Sequence, residues 1–298
     1  MLNSIKQYIP LTIKRQFLAA SKSFSKHVKS FYLGYSFTCL VCHTRTGYFD
    51  RFPDIYFEKM DEFQCIHSIF TFETFNILNY ECPTCMASDR DRLYALYISG
   101  KSSNKRIKFI DFAPSSGLSQ FLKSLPFLIY QSADLNSELA DDKVDLMDMH
   151  IYPSNSVDAF LCSHVLEHVE DDRRAMKELF RILKPGGWGI VMVPIQLNLC
   201  NVLEDSSHIS EADRWKYYCQ DDHVRLYSKQ GFIDRLTEAG FKVNQLDISH
   251  FGLEKFKVHG IHPRSVLYVV EKWTSPQTRD QPKIEKSGNE PLAKTAPV

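Results

Sequence analysis

The fold of this 298-residue chain is indicated first by the stretch Phe109-Ile-Asp-Phe-Ala-Pro-Ser-Ser-Gly-Leu118. An apolar run ends in Asp111, a turn of small residues follows, and a helical pattern begins near Leu118. Small residues let the backbone approach a ligand closely, and a helix N-terminus offers free N–H groups. The stretch therefore predicts a strand, a ligand-binding turn and a helix.

The same alternation continues from Lys105 to Trp273. Short β-branched or aromatic runs predict strands at 106–112, 127–134, 157–162, 187–193, 242–247 and 265–271. Helical spacing of apolar residues predicts helices at 118–125, 171–183 and 228–239. Alternation of this kind is typical of an α/β fold, in which helices cover both faces of a mostly parallel sheet.

A second acid supports a cofactor site at this sheet. Asp134 ends the second predicted strand, 17 residues beyond Gly117. An acid there can accept hydrogen bonds from ribose hydroxyls. Asp111 or Asp134 alone would be interpreted as a loop or capping residue. Their order and spacing together predict an adenosine-containing cofactor.

Four of the eight cysteines form two C-x-x-C pairs, Cys39/Cys42 and Cys82/Cys85, with 39 residues between them. Two such turns supply the four thiolates of a closed, structural zinc site. Cys39-Leu-Val-Cys42-His43 also spells the C-x-x-C-H of c-type haem attachment, which requires export and leaves the second pair unexplained. Disulfides are disfavoured because the chain is expected to be intracellular.

Zero net charge, from 36 basic and 36 acidic residues, conceals an uneven distribution. No acid precedes Asp50, and seven Lys and Arg residues give the first 49 positions a charge of +7. Apolar residues recur every three or four positions over residues 11–32, which predicts a basic amphipathic helix. Such a helix can pack on its own domain, lie on an anionic membrane surface or belong to a transit peptide. We expect a cytoplasmic protein with peripheral membrane contact through residues 1–38.

Four segments follow from these patterns. Residues 1–38 form the basic amphipathic segment, 39–100 a cysteine-rich zinc-binding block, and 101–273 the α/β domain. Residues 274–298 are rich in Pro, Lys, Gln and Ser and predict a disordered tail.

Three stretches of the α/β region resemble the class I S-adenosylmethionine-dependent methyltransferases: 145–149, 152–168 and Leu183-Lys-Pro-Gly-Gly187. Cys82-Pro-Thr-Cys85-Met-Ala-Ser-Asp-Arg-Asp-Arg92 and Asp222-His-Val-Arg225 are similar to elements of a bacterial subgroup with an N-terminal two-CxxC block. The resemblance implies a Rossmann-like fold with a seven-stranded, mostly parallel sheet, preceded by a small zinc-ribbon-like block.

The resemblance also implies roles for individual residues. The methionine moiety would lie against Asp111, Ala113 and Gly117, where the family's Asp-x-Gly-x-Gly-x-Gly is here Asp-x-Ala-x-Ser-x-Gly. Asp134 would hold the ribose, and the adenine would contact residues that follow the second and third strands. Those residues are Leu135, Asp145 and Leu146, while Ser163 and His164 would lie near the methyl group.

Two histidines are candidates for a general base, since imidazole titrates near neutral pH. His164 follows the predicted fourth strand, and His223 lies in Asp222-His-Val-Arg225, where Arg225 could hold an anionic acceptor. Each could instead shape the site without reacting, and His168 is expected to be a surface or capping residue.

These features favour a methyltransferase acting on a small-molecule or glycan-like acceptor, at oxygen or nitrogen. Two alternatives remain. A nucleic-acid methyltransferase would use the zinc block to bind RNA, but no basic, aromatic-interleaved stripe is evident. A non-catalytic S-adenosylmethionine-binding protein would explain why only Gly117 remains of the family's glycine-rich loop.

Overall fold

The computed structural model describes Gly34 and residues 36–101, 105–208 and 210–273. The predicted N-terminal helix at 11–32 and the predicted tail at 274–298 lie outside these residues. Among the helices of the described part, none is long and apolar enough to cross a membrane.

Seven strands form one sheet in the order β5-β4-β3-β6-β7-β9-β8. Only β9 runs antiparallel to its neighbours, which confirms the predicted mostly parallel, Rossmann-like methyltransferase sheet. The strands are β3 (Ile107–Phe112), β4 (Leu128–Asp134), β5 (Asp142–Lys143), β6 (Val157–Ser163), β7 (Leu183–Met192), β8 (Lys242–Leu246) and β9 (Leu267–Glu271).

Eight α-helices are described, and three of them match the helices that the sequence predicts. They are α1 (Asp54–Glu62), α2 (Asp89–Ser99), α3 (Ser116–Ser124), α4 (Asp172–Ile182), α5 (Glu211–Tyr218), α6 (Lys229–Glu238), α7 (Ile248–Phe251) and α8 (Leu253–Val258). A 3-10 turn spans Ile69–Thr71.

Local sequence explains where the principal elements begin and why they are buried. Ser88 caps α2 in a capping box with Asp91, and Asp171 and Ser228 cap α4 and α6. The central strand β6 is almost entirely buried, as expected for a strand covered on both faces.

The first cysteine pair lies in a short antiparallel hairpin formed by β1 (Phe37–Thr38) and β2 (Arg45–Thr46). The second pair forms a tight turn in which the N–H of Met86 donates to the carbonyl of Cys82, 2.9 Å away. The buried core continues from this block into the sheet, since Cys39 and Cys82 belong to the same apolar cluster as Phe109 and Ile190.

Arg92, on α2, is fully buried and joins the cysteine block to the rest of the chain. Its guanidinium lies 3.8 Å from the ring centre of Phe49. It donates five hydrogen bonds to backbone carbonyls, which come from the residues before the second cysteine pair, from that turn, and from the segment before β9: Asn79, Tyr80, Ala87, His259 and Gly260. One side chain therefore satisfies the carbonyls of three segments.

We expect Arg92→Met to lower the free energy of unfolding by about 3 kcal/mol, because buried carbonyls lose their donor. Denaturant unfolding measures the change. The control is Arg173→Met, which removes only an exposed ion pair with Glu238 and should change stability by less than about 0.5 kcal/mol. Equal effects of the two substitutions would contradict the role of Arg92.

Candidate functional site

The strand order reverses between β3 and β6, which are neighbours in the centre of the sheet. Ligands of open α/β sheets bind outside the carboxyl ends of the strands at such a point. Both strands end there in a non-glycine residue with left-handed backbone, Ala113 with φ 53° and His164 with φ 56°. Such conformations cost free energy and cluster at functional sites, which supports a ligand site at this edge.

The N-terminus of α3, which follows Ala113, is available to a ligand. Ser115 is the N-cap residue, but its side chain makes no capping hydrogen bond. Its hydroxyl lies instead 3.4 Å from Asp91 Oδ1 on α2. The first N–H groups of α3 therefore face a site that favours an anionic group such as a carboxylate.

Gly117 is required by packing against the cysteine turn. A Cβ atom at this position would lie 2.7 Å from the carbonyl oxygen of Cys85. The turn that carries the second cysteine pair thus supports the first turn of α3. The contact of Gly117 with a cofactor stays a prediction.

The predicted ribose and adenine residues lie at the ends of β4 and β5. Asp134 Oδ1 accepts from the N–H groups of Asn136 and Ser137, each at 2.7 Å, which fixes the carboxylate. Leu135 beside it is 49% exposed, so an apolar side chain faces outward at the strand end. Asp145 lies in the following turn, next to the buried Leu146. These features fit a nucleoside, and the individual contacts stay predictions.

Asp111 is a buried carboxyl at the end of β3. Burial, which is the largest influence, and the nearby Asp91 raise its pKa to about 7. The hydroxyl of Tyr130, which donates to Asp111 Oδ2 at 2.9 Å, and the ammonium of Lys123 oppose this shift. The group is therefore partly protonated at neutral pH in the absence of a cation.

Helix α2 contacts Ser163 and His164, the two residues at the C-terminal end of β6. The hydroxyls of Tyr94 and Ser163 lie 2.7 Å apart. Arg90 Nη1 lies 2.6 Å from Nε2 of His164 and 3.0 Å from Nδ1. Burial and the Arg90 charge lower the pKa of His164 to about 4, so the imidazole is neutral near pH 7.

A cavity of about 330 Å³ extends from His164 and receives its walls from three parts of the chain. Aromatic side chains between the two cysteine pairs form one wall: Phe52, Tyr56, Phe72, Phe75 and Tyr80. The segment 218–223 forms another, and Val193, Pro194 and Ile195 after β7 complete it. Cavities of this volume hold small molecules.

Both predicted catalytic histidines, His164 and His223, line this cavity, and so do Arg90 and Glu167. His168, which was expected to be a surface or capping residue, lines it too, and its side chain is 30% exposed. Arg225 has a structural role instead. Its buried guanidinium donates to the carbonyls of Leu166 and Glu170.

The four cysteines of the two C-x-x-C pairs come together. Sγ of Cys39 lies 3.7 Å from that of Cys85, and Sγ of Cys42 lies 3.8 Å from that of Cys82. All four sulfur atoms are within 4.8 Å of one another. A tetrahedral zinc ion with Zn–S bonds of about 2.3 Å has S–S edges of about 3.8 Å. The cluster therefore has the dimensions of a four-thiolate zinc site.

A family model described as a methyltransferase domain matches residues 86–246, more than half of the chain. The chain belongs to this methyltransferase family. The fold and the family are those of S-adenosylmethionine-dependent methyltransferases. No curated protein gives a significant match.

Solved structures resemble this chain at low identity. The carbon methyltransferase of CurJ is 12% identical, with a TM-score of 0.40, and the match covers 62% of this chain and 53% of that one. The [4+2]-cyclase SpnF is 15% identical, with a TM-score of 0.44 and coverage of 74% and 94%. A SAM-dependent methyltransferase from Archaeoglobus fulgidus is 12% identical, with a TM-score of 0.42 and coverage of 63% and 96%. The chain spans about half the length of the CurJ protein.

Several residues at the site had no role predicted from the sequence. Arg90, Tyr94 and Glu167 contact the end of β6 or line the cavity. The sequence contained one indication for Glu167, because it lies three residues after His164 and two side chains at this spacing can come into contact. The aromatic wall had no such indication, because no local pattern in residues 52–80 predicts that they pack beside the sheet.

We expect Asp111→Asn to stabilise the methyltransferase at high pH. Because the pKa of Asp111 is raised on folding, the folded state holds a proton that the unfolded state releases. The contribution of Asp111 to the free energy of unfolding should fall as pH rises from about 4 to about 7 and then level off. The advantage of Asp111→Asn should grow over this window and reach a few degrees in melting temperature.

Thermal unfolding of both proteins between pH 5 and pH 8 measures this difference. The exposed Asp61 provides the control, and Asp61→Asn should show no such pH-dependent gain. A constant difference between Asp111→Asn and wild type across the range would contradict the raised pKa.

Proposed function

We propose that the protein transfers a methyl group from S-adenosylmethionine to an oxygen or nitrogen atom of a small-molecule or glycan-like acceptor. The observation that carries the acceptor class is the aromatic-walled cavity of about 330 Å³, which reaches His164 at the end of β6. Its volume suits a metabolite or a terminal sugar, and its rings can stack on flat or ring-shaped groups.

The residues at the switch point fit S-adenosylmethionine. The free N–H groups of α3 suit its carboxylate, and the buried Asp111 suits its ammonium group. Asp134 would hold the ribose, while Leu135, Asp145 and Leu146 would hold the adenine. When bound, the sulfonium supplies an electrophilic methyl group.

Alignment and exclusion of water are the main requirements of this displacement, and they can contribute several kcal/mol by order of magnitude. The cavity walls would hold the acceptor at the edge of the sheet. Arg90 would orient a polar acceptor group and also fixes the ring of His164, 2.6 Å away. Ser163, whose hydroxyl contacts that of Tyr94, would keep the end of β6 in position.

The acceptor must also lose a proton when the new bond forms. His164 and His223 line the cavity and are the proposed groups for this step. A guanidinium only donates, so the ring nitrogen of His164 that faces Arg90 directs its lone pair there. His223 Nδ1 faces the carbonyl of Tyr218 at 3.0 Å, which leaves Nε2 with its lone pair. His223 therefore has the more available nitrogen.

The four-cysteine cluster would bind one structural zinc ion. Its spacing supports this proposal, and the backbone N–H of Thr84 lies 3.5 Å from the sulfur of Cys82 as a second-layer donor. Zinc here would not react. It would hold the turn whose Cys85 carbonyl packs on Gly117 beside the cofactor site.

The test of function is transfer of a labelled methyl group from S-adenosylmethionine by the purified full chain. Acceptor pools of small molecules, glycans, lipids and RNA are prepared from cell extract. Label in the small-molecule or glycan pool is expected. Label confined to RNA would overturn the acceptor class. Cofactor binding without label in any pool would favour a non-catalytic binding protein.

We expect Asp134→Ala to weaken S-adenosylmethionine binding by about 1–3 kcal/mol, because hydrogen bonds between the ribose and a charged group are lost. Calorimetric titration measures the affinity. Asp61→Asn again serves as the exposed-acid control. Unchanged affinity in Asp134→Ala would contradict the assignment of the ribose site.

Metal analysis of the purified chain should find about one zinc ion per molecule. Cys82→Ser should reduce this content and lower the melting temperature, because a structural metal contributes folding free energy. Cys200→Ser, at an exposed cysteine outside the cluster, should retain the zinc. A folded, metal-free wild-type protein would assign the four cysteines to packing or redox chemistry.

A further inference from the structure

The cavity contains a carboxylate that the residues around it do not satisfy. Glu167 lines the cavity, and its side chain is 1% exposed. Neither of its carboxylate oxygens has a hydrogen-bond partner within the described part of the chain. The nearest contact is made by Oε1, which lies 3.1 Å from His164 Nδ1 in an ion-pair contact, and Oε2 is left without a polar partner in the described residues. Burying a carboxylate in this state is costly unless a cation is present.

Two histidines stand beside this carboxylate. One ligand atom from each of Glu167, His168 and His223 lies within 4.8 Å of the other two. The rings of His168 and His223 meet edge to face with centroids 4.8 Å apart. Two imidazoles and one carboxylate are a common ligand set for first-row transition metals.

The outer contacts of both histidines are those of metal ligands. His168 Nδ1 lies 3.2 Å from Asp222 Oδ2, and His223 Nδ1 lies 3.0 Å from the carbonyl of Tyr218. Metal-bound histidines usually donate their other ring N–H to a carboxylate or a carbonyl, which fixes the tautomer and the ring orientation. For His223, whose Nδ1 contact is a hydrogen bond, this arrangement leaves Nε2 as the ligand atom, and the ion-pair contact of His168 Nδ1 favours the same atom in that ring.

The backbone holds the two ligand segments in register. The N–H of Val224, next to His223, donates to the carbonyl of Glu167 at 2.9 Å. Arg225 Nη1 donates to the carbonyl of Leu166 at 2.7 Å. Residues far apart in sequence are therefore fixed on a rigid frame, as a preorganised metal site requires.

We propose that Glu167, His168 and His223 bind one divalent transition-metal ion, with its open coordination positions facing the acceptor cavity. The role of this ion rests on the proposed methyl transfer: it would bind the acceptor oxygen and lower the pKa of its hydroxyl. The oxygen lone pair then forms the new bond to the methyl carbon. The carbon–sulfur bond breaks toward sulfur, and the hydroxyl proton leaves to solvent, because in the metal-bound form Nε2 of His223 is a ligand and no longer the base. The site would select acceptors with a metal-binding oxygen.

Titration with Co²⁺ tests the site in the full-length, zinc-loaded protein, with zinc content measured first. Calorimetry and visible absorption should report one further equivalent of cobalt, with d–d bands and no thiolate charge-transfer band. No binding at millimolar Co²⁺ would overturn the proposal. A thiolate band at all cobalt ratios would also overturn it, since it would locate cobalt at the cysteines.

Three variants locate the cobalt. Glu167→Gln preserves shape and should weaken binding at least 100-fold. Asp222→Asn should weaken it about tenfold or more, through the orientation of His168. His150→Ala is the control, because His150 is an exposed histidine with an aspartate neighbour and should bind cobalt as wild type does. Circular dichroism reports folding. If Glu167→Gln does not fold, Asp222→Asn decides, because Asp222 is 59% exposed.

S-adenosylmethionine is titrated into the same samples to separate this proposal from the function. Cobalt binding without cofactor binding would support the metal site and refute methyl transfer. Cofactor binding without cobalt binding would overturn the metal site alone. Equal cobalt affinity in wild type and both site variants would overturn the assignment of ligands.

Discussion

The buried guanidinium of Arg92 is the interaction on which the rest of the structure depends. It supplies donors to carbonyls of the segment before the second cysteine pair, of the cysteine turn and of the segment before β9. A charged group with five bonds to backbone tolerates little displacement, because any lost bond leaves a buried carbonyl unsatisfied. Helix α2, which carries Arg92, is therefore held at a fixed position beside the sheet. The described residues of the cysteine block therefore share one apolar core with the sheet.

This fixed helix determines the geometry of the site. Arg90 and Tyr94, one turn apart on α2, contact His164 and Ser163 at the end of β6. The cysteine turn that precedes α2 packs on Gly117 at the start of α3. Ala113 and His164, the two residues with left-handed backbone at the switch point, are therefore close to residues that the cysteine block holds in position. Contacts from outside the sheet thus stabilise these two strained turns.

The sequence predicted the parts of this protein that depend on local patterns. Periodicity and short spacing predicted the alternating strands and helices, the two acids at the ends of β3 and β4, and the two C-x-x-C pairs. The cavity could not be predicted in this way. Its walls come from residues 52–80, 193–195 and 218–223, which only the fold brings together. Glu167 and His168 lie in the predicted methyltransferase motif, but their grouping with His223 depends on a backbone hydrogen bond between distant segments.

The aromatic wall of the cavity has a consequence for how relatives of this protein should be compared. The family match begins at residue 86, whereas that wall lies between residues 52 and 80. Under the proposed function, one wall of the acceptor cavity therefore lies outside the stretch that the family shares. If the proposed function holds, two family members that agree throughout the shared domain can differ in acceptor, and residues 52–80 are the stretch to compare among relatives that act on the same acceptor.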